Sequence, residues 1–331
     1  MAVYTQIGAE ALAALIAEFD VGALVSAKGI AEGVSNSNWL VETTGRAGAG
    51  GGAGGARFIL TMYESRTDVA DLPFFLDLLD HLAAHACPVP RTIHDRAGAS
   101  FRLLDGKAVA LIEFLPGVSV SRPEPAQARA VGAALARVHL AAADFAATRA
   151  NGMGPAAWRD LLGQCGPDGL ADIHPELSAL ALPQLAAVTA QWPADLPRGV
   201  IHADLFPDNV LMLGDRVTGL IDFYFACTDI LAYDVAVTHA AWCFDATGSA
   251  FSADISRELL AGYAAVRPLS AAERAALPLL ARGAALRFLA TRAYDWLNTP
   301  ATALVTRKDP MAFARRLAFY ADPANAAVFA A

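Results

Sequence analysis

Apolar residues recur at Ile7, Ala11, Leu12, Leu15, Ile16 and Phe19, a single stripe that predicts a helix over 5–20. Short β-branched and alternating stretches then predict strands at about 24–31, 38–44 and 57–63. A helical pattern over 68–85 ends at Cys87-Pro88-Val89-Pro90, and two more strands are expected near 101–104 and 109–114. Pro116-Gly117 breaks the chain. Beyond it the pattern predicts a long helix over 124–147 and further helices near 155–163, 175–192, 229–245, 252–265, 270–297 and 309–320. Three short apolar strands interrupt them: Gly199-Val200-Ile201, Val210 to Leu213, and Val217 to Asp222, the last two joined by a turn at Gly214-Asp215-Arg216. The order is α+β. A small mixed-sheet lobe, 1–116, precedes a mostly helical lobe, 117–331.

The interrupting strands carry the chemistry. His202, Asp204 and Asn209 form H-x-D-x-x-x-x-N, and Asp222 follows thirteen residues after Asn209. Asp204 could accept a proton from an attacking hydroxyl, and Asn209 and Asp222 could hold Mg²⁺ against the phosphates of ATP. The bland alternative is a pair of hairpin strands with acidic turns. Three polar residues at these spacings, each at a strand end, favour the catalytic reading, and the strand order would gather them at one edge of a small sheet. Asp208 reads as solvated, and His139, on an apolar helix face, as a core histidine.

The turn Ala31 to Asn38 offers Gly33 for a tight backbone and Ser35, Asn36, Ser37 and Asn38 as donors to phosphate oxygens. A plain hairpin turn is the competing reading. The run Gly45 to Gly55 contains a formal G-x-G-x-x-G, but it precedes a strand instead of opening a helix. Residues 45–56 therefore read as a flexible glycine-rich insertion and not a phosphate loop.

The chain resembles the aminoglycoside-phosphotransferase branch of the kinase-like fold, and within it the bacterial homoserine kinases. The resemblance runs through Asn36-Ser37-Asn38, Leu60 to Arg66, Phe114 to Gly117, the catalytic segment, Ile221 to Cys227, Tyr233-Asp234, Trp242-Cys243-Phe244, Arg287 to Trp296 and Lys308-Asp309-Pro310. It implies a bilobal protein-kinase-like fold, a nucleotide-binding first lobe, Asp204 as base, Asn209 and Asp222 as Mg²⁺ ligands, and adenine contacts from the backbone of Glu113 to Leu115. His202 would hold the loop, and Asp234 would be the buried acid beneath it. One part departs from the kinase pattern: Thr61 stands where the third strand carries Lys. Arg66, then Lys28, are the candidate replacements, each with a solvated surface charge as its alternative.

L-Homoserine, the substrate that the resemblance implies, is a zwitterion and would need a cation and an acid. Arg292 and Asp295, three apart on one helix, could supply both or could simply pair with each other. Tyr224, Asp229 and Trp242 are further lining candidates. Two alternatives stay open: another small-alcohol kinase, of aminoglycoside or choline type, and a nucleotide-binding pseudokinase. The basic series Arg282, Arg287, Arg292 favours a substrate bearing a carboxylate, and an intact Asp204, Asn209 and Asp222 disfavours a pseudokinase.

Composition narrows the partners. With 25 basic against 33 acidic residues the net charge is −8, a poor match for nucleic acid. No apolar run reaches the length of a membrane span. The acidic N-terminal segment lacks the basic start of a signal peptide. The cysteines at 87, 165, 227 and 243 have no C-x-x-C spacing, so reduced buried thiols in the cytoplasm are expected. A monomer or homodimer is expected, with ATP and homoserine as the small-molecule partners.

Overall fold

The computed structural model describes residues 7–30, 36–45, 55–64, 68–299 and 307–329. Gly33, Ser35, Arg66 and most of the glycine-rich insertion lie outside the described residues. The chain divides into two compact units, Met1–Pro116 and Gly117–Ala331.

The first unit opens with α1 (Ala9–Ala17), which buries Leu12, Leu15 and Ile16. Next come β1 (Leu24–Ile30), β2 (Ser37–Thr43), β3 (Ala56–Met62), α2 (Leu72–Ala84), β4 (Thr92–Ile93), β5 (Arg102–Leu104) and β6 (Lys107–Glu113). The strands form one antiparallel sheet in the order β1-β2-β3-β6-β4, with β5 paired to β6. Strand alternation sorts its two faces. Trp39, Val41, Phe58, Leu60, Met62, Val109 and Leu111 share a core with Leu12, Leu15 and Ile16 of α1. Asn38, Thr61 and Ala110, in register across β2, β3 and β6, therefore lie on the opposite face. The two-residue β4 is absent from the sequence expectation, because Pro88 and Pro90 beside it read only as helix breakers.

The second unit holds α3 (Pro125–Ala141), α4 (Pro155–Ile173), α5 (Leu177–Ala190), β7 (Arg198–Ile201), β8 (Val210–Leu213), β9 (Arg216–Leu220), β10 (Cys227–Ile230), α6 (Leu231–Trp242), α7 (Ala253–Val266), α8 (Ala271–Asn298) and α9 (Met311–Ala321). α3 is shorter than the expected 124–147, ending in a 3₁₀ turn at Ala142–Asp144. α4 runs ten residues past the expected 163, with a break at Gly166, whose φ of 66° only glycine adopts freely. α6 is buried along its whole length and forms the centre of the unit. The expected three-stranded catalytic sheet does not form. β7 pairs with β10, and β8 pairs with β9, giving two separate ribbons. Residues 227–230, where a helix was expected from 229, supply β7 with a partner. All four cysteines are buried and free. Among the described residues no helix is long and apolar enough to cross a membrane.

α3 and α7 cross at a reciprocal glycine contact. A Cβ built on Gly132 would lie 2.1 Å from the Leu259 carbonyl, and one on Gly262 would lie 2.0 Å from the Arg129 carbonyl. Both obstacles are backbone, so they cannot rotate away. Gly262→Ala should therefore cost at least about 2 kcal/mol by overpacking, despite alanine's better helix propensity. Urea unfolding should show a lowered midpoint at unchanged slope, and an unchanged midpoint would mean that the helices can separate cheaply.

Candidate active site

β7 delivers His202, Ala203 and Asp204 to the top of the second unit. Ala203 has a φ of 64°, a left-handed conformation that costs an alanine about 1–2 kcal/mol. Asp234, at the start of α6, holds it there. Its carboxylate accepts the His202 N–H at 2.7 Å and the Ala203 N–H at 2.8 Å. The Ala203 carbonyl accepts from the buried guanidinium of Arg287 on α8. Behind Asp234, His139 on α3 donates from Nε2 at 3.0 Å, and its Nδ1 lies 2.7 Å from the Tyr263 hydroxyl. Burial alone would raise the Asp234 pKa. The hydrogen bond and charge of His139, with His202 behind them, outweigh it and hold the carboxyl below its ordinary value.

The loop then turns. Leu205 presents its carbonyl to the Trp242 indole N–H at 3.0 Å, and the Phe206 ring packs edge-on to Phe288 at 4.8 Å. A 3₁₀ turn over Pro207–Asn209 brings Asn209 back to Asp204. Its amide nitrogen donates to the Asp204 carbonyl at 2.8 Å and approaches the carboxylate at 3.4 Å. That commits the NH₂ end, with the amide oriented by this network, and leaves Oδ1 for another ligand.

Ile221 clamps the second acid to the first. Its N–H donates to the Asn209 carbonyl at 3.0 Å, and its own carbonyl accepts from His202 Nε2 at 3.0 Å. His202 Nδ1 accepts the Asp204 N–H at 3.2 Å, so the ring is one neutral tautomer, and burial lowers its pKa accordingly. Asp222 follows in left-handed backbone, φ 64° and ψ 56°. Asp204 and Asn209 are thus hydrogen-bonded to each other, and Asp222 is placed beside them through its chain neighbour Ile221.

The acids repel one another. Desolvation raises Asp204 to about 7. Arg287 opposes the rise and Asp222 adds to it. Asp222 is exposed as a residue, yet its carboxyl is raised to about 6, by desolvation first and by Asp208 second. Such a set of hard, crowded oxygen donors fits a small divalent cation, whose charge would return both carboxyls to the ionised form.

Other candidates fall elsewhere. Trp242 is buried and spends its N–H on the loop, so it supports the loop instead of lining a site. Asp229 is buried in β10 and bound by Asn151 at 2.7 Å and Arg198 at 2.9 Å, a structural acid. Tyr224 is half-buried in the 3₁₀ turn after Asp222. Arg292 does not pair with Asp295: it donates to the Asp309 carbonyl at 3.2 Å, and Asp295 is exposed. In the first unit the side chains expected to cover phosphates have internal partners. Asn36 Oδ1 accepts the Glu64 N–H at 3.3 Å, Ser37 donates to Glu64 at 2.8 Å, and Asn38 accepts from Thr61 at 2.8 Å. Glu113 pairs with Arg91 at 3.2 Å, while Leu115 is half-buried beyond the end of β6. Lys107, 2.5 Å from Glu64, alternates with Val109 onto the α1-covered face. Lys28, in register with Leu40, falls on the face of Thr61 and Asn38 and is exposed there. The sequence offers Arg287 in a basic series and in the Arg287 to Trp296 run, with no role of its own; an arginine in the apolar run Leu286 to Ala290 is the available signal for burial with a bound carbonyl.

The chain belongs to the phosphotransferase enzyme family, whose model matches residues 26–269. Its branch is that of the homoserine kinases. Homoserine kinase of Azorhizobium caulinodans is 53% identical over 326 residues, covering 98% of each chain. Homoserine kinase of Acidiphilium cryptum is 52% identical over 327 residues, covering 99% of each. The fold is protein-kinase-like and α+β, shared with a microcompartment-associated aminopropanol kinase (TM-score 0.68, 19% identity, 95% of this chain and 96% of that one). It is shared equally with a spectinomycin phosphotransferase solved with ADP and spectinomycin (TM-score 0.68, 14% identity, 98% of each chain).

Proposed function

We propose that this enzyme transfers the γ-phosphoryl group of ATP to the side-chain hydroxyl of L-homoserine, forming O-phospho-L-homoserine and ADP. The observation that carries the reading is the hydrogen-bonded pair Asp204 and Asn209, with Asp222 tied to it through Ile221, in a chain 53% identical over 326 residues to a homoserine kinase. Asp204 orients the hydroxyl and takes its proton late, as the oxygen bonds to phosphorus and the bond to the ADP oxygen breaks. Asn209 Oδ1 and the Asp222 carboxylate would hold the divalent ion, read as Mg²⁺. When bound, that ion neutralises charge on the phosphate oxygens. His202, Asp234 and Arg287 keep the loop in its left-handed turn so that Asp204 is already placed.

The first unit is the nucleotide-binding part, with backbone groups from Glu113 to Leu115 meeting adenine. The internal partners of Asn36, Ser37 and Asn38 leave backbone N–H groups near Gly33 and Ser35, with Lys28 or Arg66, to meet the phosphates. The reading places the enzyme in the cytoplasm, in threonine biosynthesis. An ADP-release screen over homoserine, serine, threonine, choline and kanamycin tests it. Mg²⁺-dependent turnover should be greatest with homoserine. Turnover confined to choline or kanamycin would overturn the substrate and leave the phosphotransferase standing.

A further inference from the structure

Three arginines of the second unit donate to backbone carbonyls, and they are not satisfied alike. Arg287 is buried and bound to the Ala203 carbonyl. Arg316 is buried and gives its guanidinium to the carbonyls of Ala240, Ala312 and Asp245 at 2.9, 2.7 and 2.8 Å. Arg292 is half-buried and makes a single hydrogen bond among the described residues, Nη1 to the Asp309 carbonyl. Its guanidinium carbon lies 4.5 Å from the centre of the Phe313 ring. Phe313 packs against Phe288 at 4.9 Å and faces Phe206 of the catalytic loop at 6.1 Å. Phe288 is one turn before Arg292 on α8 and touches Phe206. Aromatic packing therefore fixes a planar cation beside the loop that carries Asp204, with Nε and Nη2 uncommitted.

No acid of the described residues lies within ion-pair distance of that cation. The Asp309 carboxylate turns to the Met311 N–H at 2.8 Å and to Arg315 at 3.9 Å. Burial first, and then the like charge of Arg316, push Arg292 down to about 10, so its positive charge is under-compensated where it stands. The acids that partly offset it are Asp309, Asp204 and Asp208. Lys308, exposed and without an ion-pair partner among the described residues, acts on Asp204 and Asp222 from the same segment. A substrate carboxylate entering beside Asp204, Asp208 and Asp222 would be repelled unless such cations met it.

We propose that Arg292 binds the carboxylate of the amino-acid substrate through its two uncommitted nitrogens, with Lys308 as the second cation. This sets the preference for hydroxy amino acids over carboxylate-free amino alcohols. The inference rests on the homoserine reading above. A planar guanidinium with two free donors suits a carboxylate bidentately. The ammonium and hydroxyl ends of the substrate then point into the acidic part of the site.

The test compares L-homoserine with 3-amino-1-propanol, which keeps the hydroxyl and ammonium and lacks the carboxylate. The measurements are kcat/KM for both in the wild-type enzyme and in Arg292→Gln, Arg292→Lys and Lys308→Gln. The homoserine-to-aminopropanol ratio should fall about 10²-fold or more in Arg292→Gln, mainly through the KM for homoserine. Lys at 292 should restore only part of it, and Lys308→Gln should lower the same ratio by less. An unchanged ratio, or equal losses on both substrates, overturns the proposal, because a residue that only packs the loop damages both alike. If Arg292→Gln does not fold, the other two variants decide by the same ratio. Wild-type turnover of aminopropanol without any of homoserine would instead overturn the underlying substrate reading.

Discussion

Asp204→Asn should lower kcat about 10²–10⁴-fold, the usual contribution of a positioned general base. The substitution keeps the side-chain shape and the contact with Asn209, and removes only the proton acceptor. Nucleotide affinity should change little. Stability should not fall. Asp204 is raised to about 7 in the folded enzyme, above the ordinary carboxylate value, so the folded state binds the proton more tightly than the unfolded chain. The wild-type enzyme therefore loses stability as pH rises toward 7, and the neutral amide is spared that loss. In metal-free buffer at pH 8 the Tm of Asp204→Asn should equal or exceed that of the wild-type enzyme. Asp222→Asn relieves similar crowding but withdraws charge from the metal site. Its defect should include weaker nucleotide binding that excess Mg²⁺ partly restores. Steady-state kinetics under Mg²⁺ titration separates the two. Equal, Mg²⁺-independent losses, or an Asp204→Asn enzyme with wild-type turnover, would sink the division of roles.

The elements legible in the sequence are those whose partners are local. The stripe of α1 and the alternation of β2 and β3 record which face is buried, so the strands fall within one residue of expectation, while α1, Ala9–Ala17, is shorter than the expected 5–20. What escaped depends on partners distant in the chain. Cys227 to Ile230 is a strand because β7 lies beside it, and nothing within the four residues distinguishes them from the start of α6. The break at Gly166-Pro167 looks like a helix end, yet helical structure resumes after one left-handed residue. The spacing of Asp204, Asn209 and Asp222 brought them to notice, but their joining runs through Ile221, whose apolar side chain says nothing of its backbone bonds. Arg292 and Asp295 had the right spacing to pair and do not, because Asp309, seventeen residues away, takes the arginine. Lys28 needed the register of β1 on β2 before it could be placed on the face of Thr61.

Asp234→Ala should produce the largest loss of stability in the second unit, about 3–5 kcal/mol, the cost of removing one member of a buried ionic network. The carboxylate is fully buried and accepts from His202 N–H, Ala203 N–H and His139 Nε2. Alanine leaves three donors facing an empty volume that water reaches poorly. It also releases Ala203 from its left-handed turn, so Asp204 moves and kcat falls even in the molecules that remain folded. Asp234→Asn is the milder variant that keeps the measurement possible. An Asn oxygen can retain the Ala203 N–H, but its NH₂ then meets the two donors that converged on Oδ2, so part of the penalty remains. The pH dependence separates a lost charge from a lost volume. Asp234 is held below its ordinary pKa, so its stabilisation is complete above the unfolded value of about 3.9 and fades as pH falls through the folded value. The stability gap between the wild-type enzyme and Asp234→Asn should be constant from pH 6 to 5 and should narrow below about 4. Urea unfolding at several pH values measures it. A gap that widens on acidification, or an Asp234→Ala enzyme with wild-type midpoint and kcat, would show that Arg287 and Trp242 hold the loop without the acid beneath it.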